Sequence, residues 1–264
     1  MIGRTIPVRG LAAVLALVVL ASCRRAPKCE GELERDDLYL LQKLENDGKY
    51  PCPEHLQPAI EVRPNGVTLN GKRVASREAL PVGTPRRIQG LFNALKQNRE
   101  TWKQVHPGMS FDAHPKIDID GACDFGTGAG ALMSTAFAGY PNALVRSGGV
   151  VFEMYYAVPG PLMPDDQRPR PTELLVVRKG EGRYVPAVRQ GTTIMDYAPQ
   201  GLEFDAVPGW VAGHCPAGRD PCVDVIVLGL SGEFAVAATL IRSILDGPGF
   251  RTRLPTLRFV TDAS

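Results

Sequence analysis

Apolar and polar residues alternate along AIEVRPNGVTLNGKRVA, residues 59–75. Ile60 and Val62 share one face before a Pro-Asn-Gly turn, and Val67 and Leu69 share one after it. Period two around turn residues predicts a β-hairpin. The period then lengthens. In TPRRIQGLFNALKQNRETWKQV, residues 84–105, the apolar positions Ile88, Leu91, Phe92 and Leu95 fall three and four apart. That spacing predicts a helix capped by Thr84, with Pro85 at its first position and Pro107-Gly108 ending it. KIDID at 116–120 predicts a short strand with Ile117 and Ile119 on one face and Asp118 and Asp120 on a solvent-facing edge. GAGALMSTAFAG at 128–139 predicts a helix of small residues ended by Gly139. NALVRS at 142–147 and VVFEMYYAV at 150–158 predict two more strands. PGPLMPDDQRPRP at 159–171 contains five prolines and reads as a linker.

The pattern partly recurs beyond the linker. ELLVVRKGEGRYVPAV at 173–188 predicts a hairpin and VDVIVLGL at 223–230 a buried strand. EFAVAATLIRSILDG at 233–247 predicts an apolar helix ended by Gly247, and LPTLRFV at 254–260 a last strand. With Phe125 set on Phe234, Ile117 meets Ile226, Ile119 meets Leu228, Asp124 meets Glu233, Ala129 meets Ala238 and Leu132 meets Ile241. Both stretches read strand, turn, acid-Phe, helix, Gly, strand, which reads either as a weak internal repeat or as the apolar pattern that any two βαβ units share. Asp124 and Glu233 precede the two helices in cap position. Of Trp102 and Trp210, one belongs to a helix face and the other to a turn. The expected fold class is α+β, as two small βαβ-type sandwich domains at 59–158 and 172–264.

The chain of 264 residues has 44% hydrophobic and 22% charged residues, enough for a sizeable core, and its 28 glycines and 23 prolines favour short elements and many turns. Residues 1–22 hold Arg4 and Arg9 and no acid, so a formal net charge of +2 falls to zero without them. A neutral body excludes a general electrostatic footprint for nucleic acid and leaves room only for local basic patches.

Those first residues have their own pattern. A basic stretch, MIGRTIPVRG, leads into LAAVLALVVL, which is too short to span a bilayer comfortably, and then LASC at 20–23. An aliphatic residue, two small residues and cysteine resemble the lipobox of a bacterial lipoprotein signal peptide. The resemblance implies cleavage before Cys23, a diacylglyceryl group on its thiol and a third acyl chain on its freed amine. Several acyl chains on one residue give stable anchoring. The expected protein is a lipid-anchored, periplasm-facing envelope protein, on the outer membrane, with residues 23–58 forming a tether and helix. Beyond residue 22 no apolar run reaches membrane length.

An exported chain is in a disulfide-permissive compartment. Cys29 and Cys52 bracket a segment in which Leu38, Leu41 and Leu44 suit one helical face, and Cys215 and Cys222 bracket the loop PAGRDP. These four are disulfide candidates and Cys123 is left over, a site for redox work if its thiol is free. No metal site is expected: His214 adjoins Cys215, but there is no C-x-x-C, and His55, His106 and His114 are scattered. No cofactor is expected either.

The first half resembles a known family. IEVRPNGVTLNGKRV, then a helix, then KIDIDGACDFGTGAGALMSTAFAGYPNALV is similar to the periplasmic domain of the ExbD/TolR biopolymer-transport family. Gly66, Leu69, Asn70, Gly71, Asp120, Phe125 and Gly139 occupy the matching places across residues 59–147. Members of that family carry a transmembrane helix with an aspartate coupled to proton flow. This sequence has a lipobox instead, so the motor role does not transfer. The resemblance implies dimer formation and binding of envelope partners, including peptidoglycan.

Catalytic patterns are incomplete. FGTGAGA at 125–131 gives G-x-G-x-x-A through Gly126, Gly128 and Ala131, yet lacks the acidic residue that a dinucleotide site places on a second strand. Its other reading is tight helix packing. GLSGE at 229–233 ends in Glu233 where a nucleophile elbow has Gly. Asp165 and Asp166 lie in the Pro-rich linker and are expected to be solvated. The sequence therefore predicts a non-enzymatic envelope lipoprotein that binds an envelope protein or peptidoglycan, as an accessory of an ExbD/TolR-type system. The alternative is a lipid-anchored hydrolase using Ser231 and His214.

Overall fold

Hydrogen bonding gathers the strands of both halves into one sheet. The computed structural model describes residues 57–105, 107–108, 111, 113–156, 172–180, 182–190, 193–214, 225–247 and 256–260. All of them belong to one compact unit, Glu54–Ser264. Among them are twelve strands and four helices, an α+β fold on a large mixed sheet.

The first half runs β1 (Ala59–Arg63), β2 (Gly66–Leu69), β3 (Lys72–Ser76), α1 (Gln89–Val105), β4 (Lys116–Ile119), α2 (Phe125–Phe137), β5 (Asn142–Ser147) and β6 (Val150–Tyr156). The second runs β7 (Thr172–Arg178), β8 (Arg183–Gln190), β9 (Thr193–Tyr197), β10 (Leu202–Glu203), α3 (Val207–His214), β11 (Val225–Gly229), α4 (Phe234–Leu245) and β12 (Thr256–Phe259). The sheet order is β10-β8-β7-β11-β12-β6-β5-β4-β1-β2-β3, with β9 also on β8.

The same pairing pattern occurs twice. β1–β2–β3 is an antiparallel meander, β4 joins β1 in parallel, and β5 joins β4 in parallel. β7–β8–β9 is likewise antiparallel, β11 joins β7 in parallel, and β12 joins β11 in parallel. β6 turns back antiparallel to β5 and takes β12 in parallel at Thr256↔Tyr155 and Leu257↔Tyr156. The two parallel sets therefore run in opposite directions. The segments read from sequence as two domains, on either side of the linker, share this sheet.

Alternation sends Ile60, Val62, Ile117, Ile119, Leu174, Val176, Ile226, Leu228, Leu257 and Phe259 into one buried cluster. The helices close it with Leu91, Leu95 and Trp102 of α1, the small residues of α2, Val207 and Val211 of α3, and Ile241 and Ile244 of α4. Asp118 and Glu61 are exposed, and Asp118 bonds Arg63 at 3.0 Å. Asp118 faces solvent as expected, but from an interior strand: β4 lies between β1 and β5, so this is a face and not an edge.

α1 begins at Gln89, four residues later than the Thr84 cap predicts. The run before it is held to α2 by hydrogen bonds that a helix there would forfeit. Gly83 N–H donates to Asp124 Oδ1 (2.7 Å), Thr127 Oγ1 to the Pro81 carbonyl (2.6 Å) and Ile88 N–H to Ser134 Oγ (2.7 Å). A third strand, β3, extends the predicted hairpin, and α2 starts at Phe125, earlier than expected. Trp102 lies on α1 and Trp210 on α3, so both are on helices, where one of the two was expected in a turn. The helix expected within 29–52 and the linker at 159–171 lie outside the described residues.

Candidate functional site

The family-motif positions fall into two places. Gly66 opens β2, where a Cβ would meet the Ala75 carbonyl at 2.6 Å on β3. Asn70 and Gly71 form the next turn with φ of 50° and 75°, the left-handed region that Asn and Gly tolerate best. Asn70 also closes the strand end: its N–H donates to the Ala59 carbonyl (2.7 Å) and its Oδ1 accepts from Ala59 N–H (2.8 Å). These residues build the meander.

Asp120, Phe125 and Gly139 frame α2. Asp120 N–H donates to the Val62 carbonyl (2.9 Å), and its Oδ1 accepts from Ala122 N–H (2.9 Å). Gly139 ends the helix with φ 97°. Asp124 caps α2, accepting from Gly126 N–H (2.8 Å) as well as Gly83 N–H. Glu233 occupies the equivalent position before α4 and makes no side-chain cap bond. An acidic cap fills the helix N-terminus where a phosphate would sit, and Gly126 and Gly128 lie inside α2, so FGTGAGA is a packing element. Replacing Asp124 with Ala is expected to lower stability by about 1–2 kcal/mol, read as a shifted urea midpoint at unchanged slope.

The residues aligned as a repeat meet in space. Phe125 N–H donates to the Gly232 carbonyl and Phe234 N–H to the Cys123 carbonyl, each at 2.7 Å. With Phe125 matched to Phe234, each bond is the counterpart of the other, as at a two-fold contact. Asp124 and Glu233 bridge between them, and the two rings stack with centroids 6.4 Å apart and planes at 19°.

Cys123 lies beside this contact and is a free thiol. Burial, reinforced by Asp120, pushes its pKa up to about 11, so it holds little thiolate at neutral pH and suits packing better than redox work. Cys23, Cys29, Cys52, Cys215 and Cys222 lie outside the described residues. Among the described residues no group of three or more His, Cys, Asp or Glu is placed to hold a metal ion, and no helix is long and apolar enough to cross a membrane.

Ser231 and His214 make no hydrogen bond to each other. His214 ends α3, stacked on Trp210 with ring centroids 4.0 Å apart. Its Nδ1 meets the Trp210 carbonyl at 2.7 Å and its Nε2 meets Asp196 at 3.1 Å, so both ring nitrogens are engaged. Ser231 sits in the turn before α4, its carbonyl accepting from Arg178 at 2.6 Å. A Ser–His pair needs one of those nitrogens for the hydroxyl.

What the sequence did not single out is a basic surface on the β3–α1 end. Residues 72–103 hold eight Lys and Arg against Glu78 and Glu100. Lys72 and Arg73 lie on β3, Arg77 follows it, Arg86 and Arg87 precede α1, and Lys96, Arg99 and Lys103 lie on α1; all but Arg99 are exposed. The Ser76 hydroxyl donates to Glu78 at 2.6 Å and holds its carboxyl below the usual range, with Arg73 and Arg77 adding to the effect. Overall neutrality hides this end: residues 193–214 carry Asp196, Glu203 and Asp205 and no Lys or Arg. No protein-family model matches the chain, and no curated protein matches it significantly.

Proposed function

We propose that this chain is a lipid-anchored, non-enzymatic envelope protein whose body binds an acidic envelope partner, either the carboxylate-bearing peptidoglycan or an acidic envelope protein. The basic β3–α1 end carries this reading. It concentrates positive charge on a chain that is neutral beyond residue 22, and such a patch recruits anionic partners without a catalytic group. The lipobox supports the anchored location. The repeated meander–helix–strand–helix–strand pattern supports two ExbD/TolR-like modules joined in one chain, the dimer-forming habit of that family being satisfied internally. An accessory role beside an ExbD/TolR-type system follows from the same resemblance.

The test is cosedimentation with isolated sacculi and crosslinking to envelope proteins. Reversing Lys72, Arg77 and Lys96 to Glu is expected to lower binding by about tenfold or more, and added salt to weaken the unmodified chain likewise. Binding to neither sacculi nor any envelope protein would end this reading.

A further inference from the structure

His214 joins the end of α3 to β9. Its Nδ1 lies 2.7 Å from the Trp210 carbonyl, one helical turn back, and its Nε2 lies 3.1 Å from Asp196 Oδ2. A carbonyl and a carboxylate are both acceptors, so each ring nitrogen has to donate. The imidazolium has two N–H groups and makes both bonds, whereas the neutral ring has one and makes one. With that proton on Nδ1, toward the closer carbonyl, the Nε2 lone pair would face the carboxylate. Two further features favour the cation. His214 is the last residue of α3, where the helix dipole is negative. Its ring stacks on Trp210 with planes at 18°, and an indole face attracts positive charge. Asp196 is set to meet it: Oδ1 accepts from Tyr197 N–H at 2.8 Å, which leaves Oδ2 for His214.

The other charged and titratable groups around α3 are engaged elsewhere. From β8, Arg183 donates to the Gly201 carbonyl, Arg189 pairs with Glu173, and Tyr184 is buried edge-on against Phe204. Glu203 on β10 lies opposite Arg183. From α4, Arg242 pairs with Asp246 and donates to the Val151 carbonyl. Asp205 precedes α3 at its opposite end, and Tyr197 follows Asp196 and points to the other face of β9. β9 has little burial to hold it: all five residues are exposed, and its pairing with β8 shifts register between Val188 and Arg189. We infer that His214 is a proton-operated latch for β9, whose imidazolium fastens the strand to α3 and whose deprotonation releases it. Histidine changes charge between about pH 5 and 8, so the latch is closed on the acid side of that range and opens as pH rises through it. The His214 and Asp196 side chains are 33% and 53% exposed, so protons reach the pair directly and solvent screening keeps its strength modest. The latch lies in the second half and does not depend on an acidic partner at the β3–α1 end.

The test is amide hydrogen exchange of the full chain at about pH 5.5 and about pH 8, each rate divided by the intrinsic rate at that pH. Protection of residues 193–197 is expected to fall about three- to tenfold at the higher pH, while β11 in the same half keeps its protection. In His214→Gln, whose amide does not titrate, β9 should be equally protected at both pH values. The latch is overturned if β9 protection in the unmodified chain is the same at both pH values. It is equally overturned if the difference persists in His214→Gln, or if β11 loses protection by the same factor. If His214→Gln does not fold, Asp196→Asn decides. It keeps an acceptor and removes the anion, so loss of most of the pH difference supports the latch, and a difference of undiminished size overturns it.

Discussion

Phe234→Ala is expected to destabilise the described unit by about 3–5 kcal/mol, the range for removing a large aromatic ring from a packed core. Phe234 is fully buried, at 0% exposure, on the first turn of α4. Its ring stacks on Phe125 and lies against Gly128 of α2, so the vacated space would be walled by the other half. Phe125 is in turn fixed edge-on by Phe259, with centroids 5.8 Å apart. A site held from several elements collapses little, and that is the condition for the upper part of the range. The location makes the loss shared. Trp102 lies in the first half and Trp210 in the second, so a single-tryptophan variant reports on each. With one sheet and one core, both reporters should shift to lower urea by the same amount. A shift confined to Trp210 would mean that the halves hold separate cores.

The local parts of the fold were legible because they follow from period and punctuation. Ile60, Val62, Ile117 and Ile119 alternate, and all four are buried. Leu91 and Leu95, four apart, lie on the buried face of α1. Asp124 stands before α2 as an N-cap residue should. Joining the halves was not legible. β12 meets β6 through only two registered pairs, at Tyr155 and Tyr156, and no periodicity encodes a pairing across about a hundred positions. β9 and α3 were invisible for a different reason. β9 is exposed throughout and offers no apolar alternation, while α3 contains Pro208, Gly209 and Gly213. The start of α1 was misplaced because Thr84 and Pro85 form a good local cap, and the long-range bonds of residues 81–88 to α2 outweigh it. The basic β3–α1 end was hidden by a neutral total, since charge on a surface depends on where strands and helices place it. The alignment of Phe125 with Phe234 was legible as a repeat, but not as a contact.

Gly128→Leu is expected to be the most damaging change on α2, at or above about 3 kcal/mol, the upper end of the usual cost of overpacking. Even a Cβ at Gly128 would fall well inside contact distance of the Phe234 ring, which is confined by Phe125 and cannot swing aside cheaply. The neighbouring Gly130 is closed in by the Arg86 carbonyl and Pro81, so α2 cannot retreat without losing the Ile88–Ser134 and Thr127–Pro81 hydrogen bonds. The same geometry predicts a rescue. In Gly128→Leu/Phe234→Ala the leucine enters the volume the ring has left, and the double variant should be more stable than Gly128→Leu alone. Residues in contact couple by about 0.5–3 kcal/mol, which denaturant titration of the four-membered cycle resolves. The sign is the discriminating quantity. A Gly128 that served loop flexibility would lose stability independently of Phe234, and the two losses would add. A Gly128 that exists so that α2 and α4 can close on one aromatic ring requires the second substitution to recover part of what the first removes.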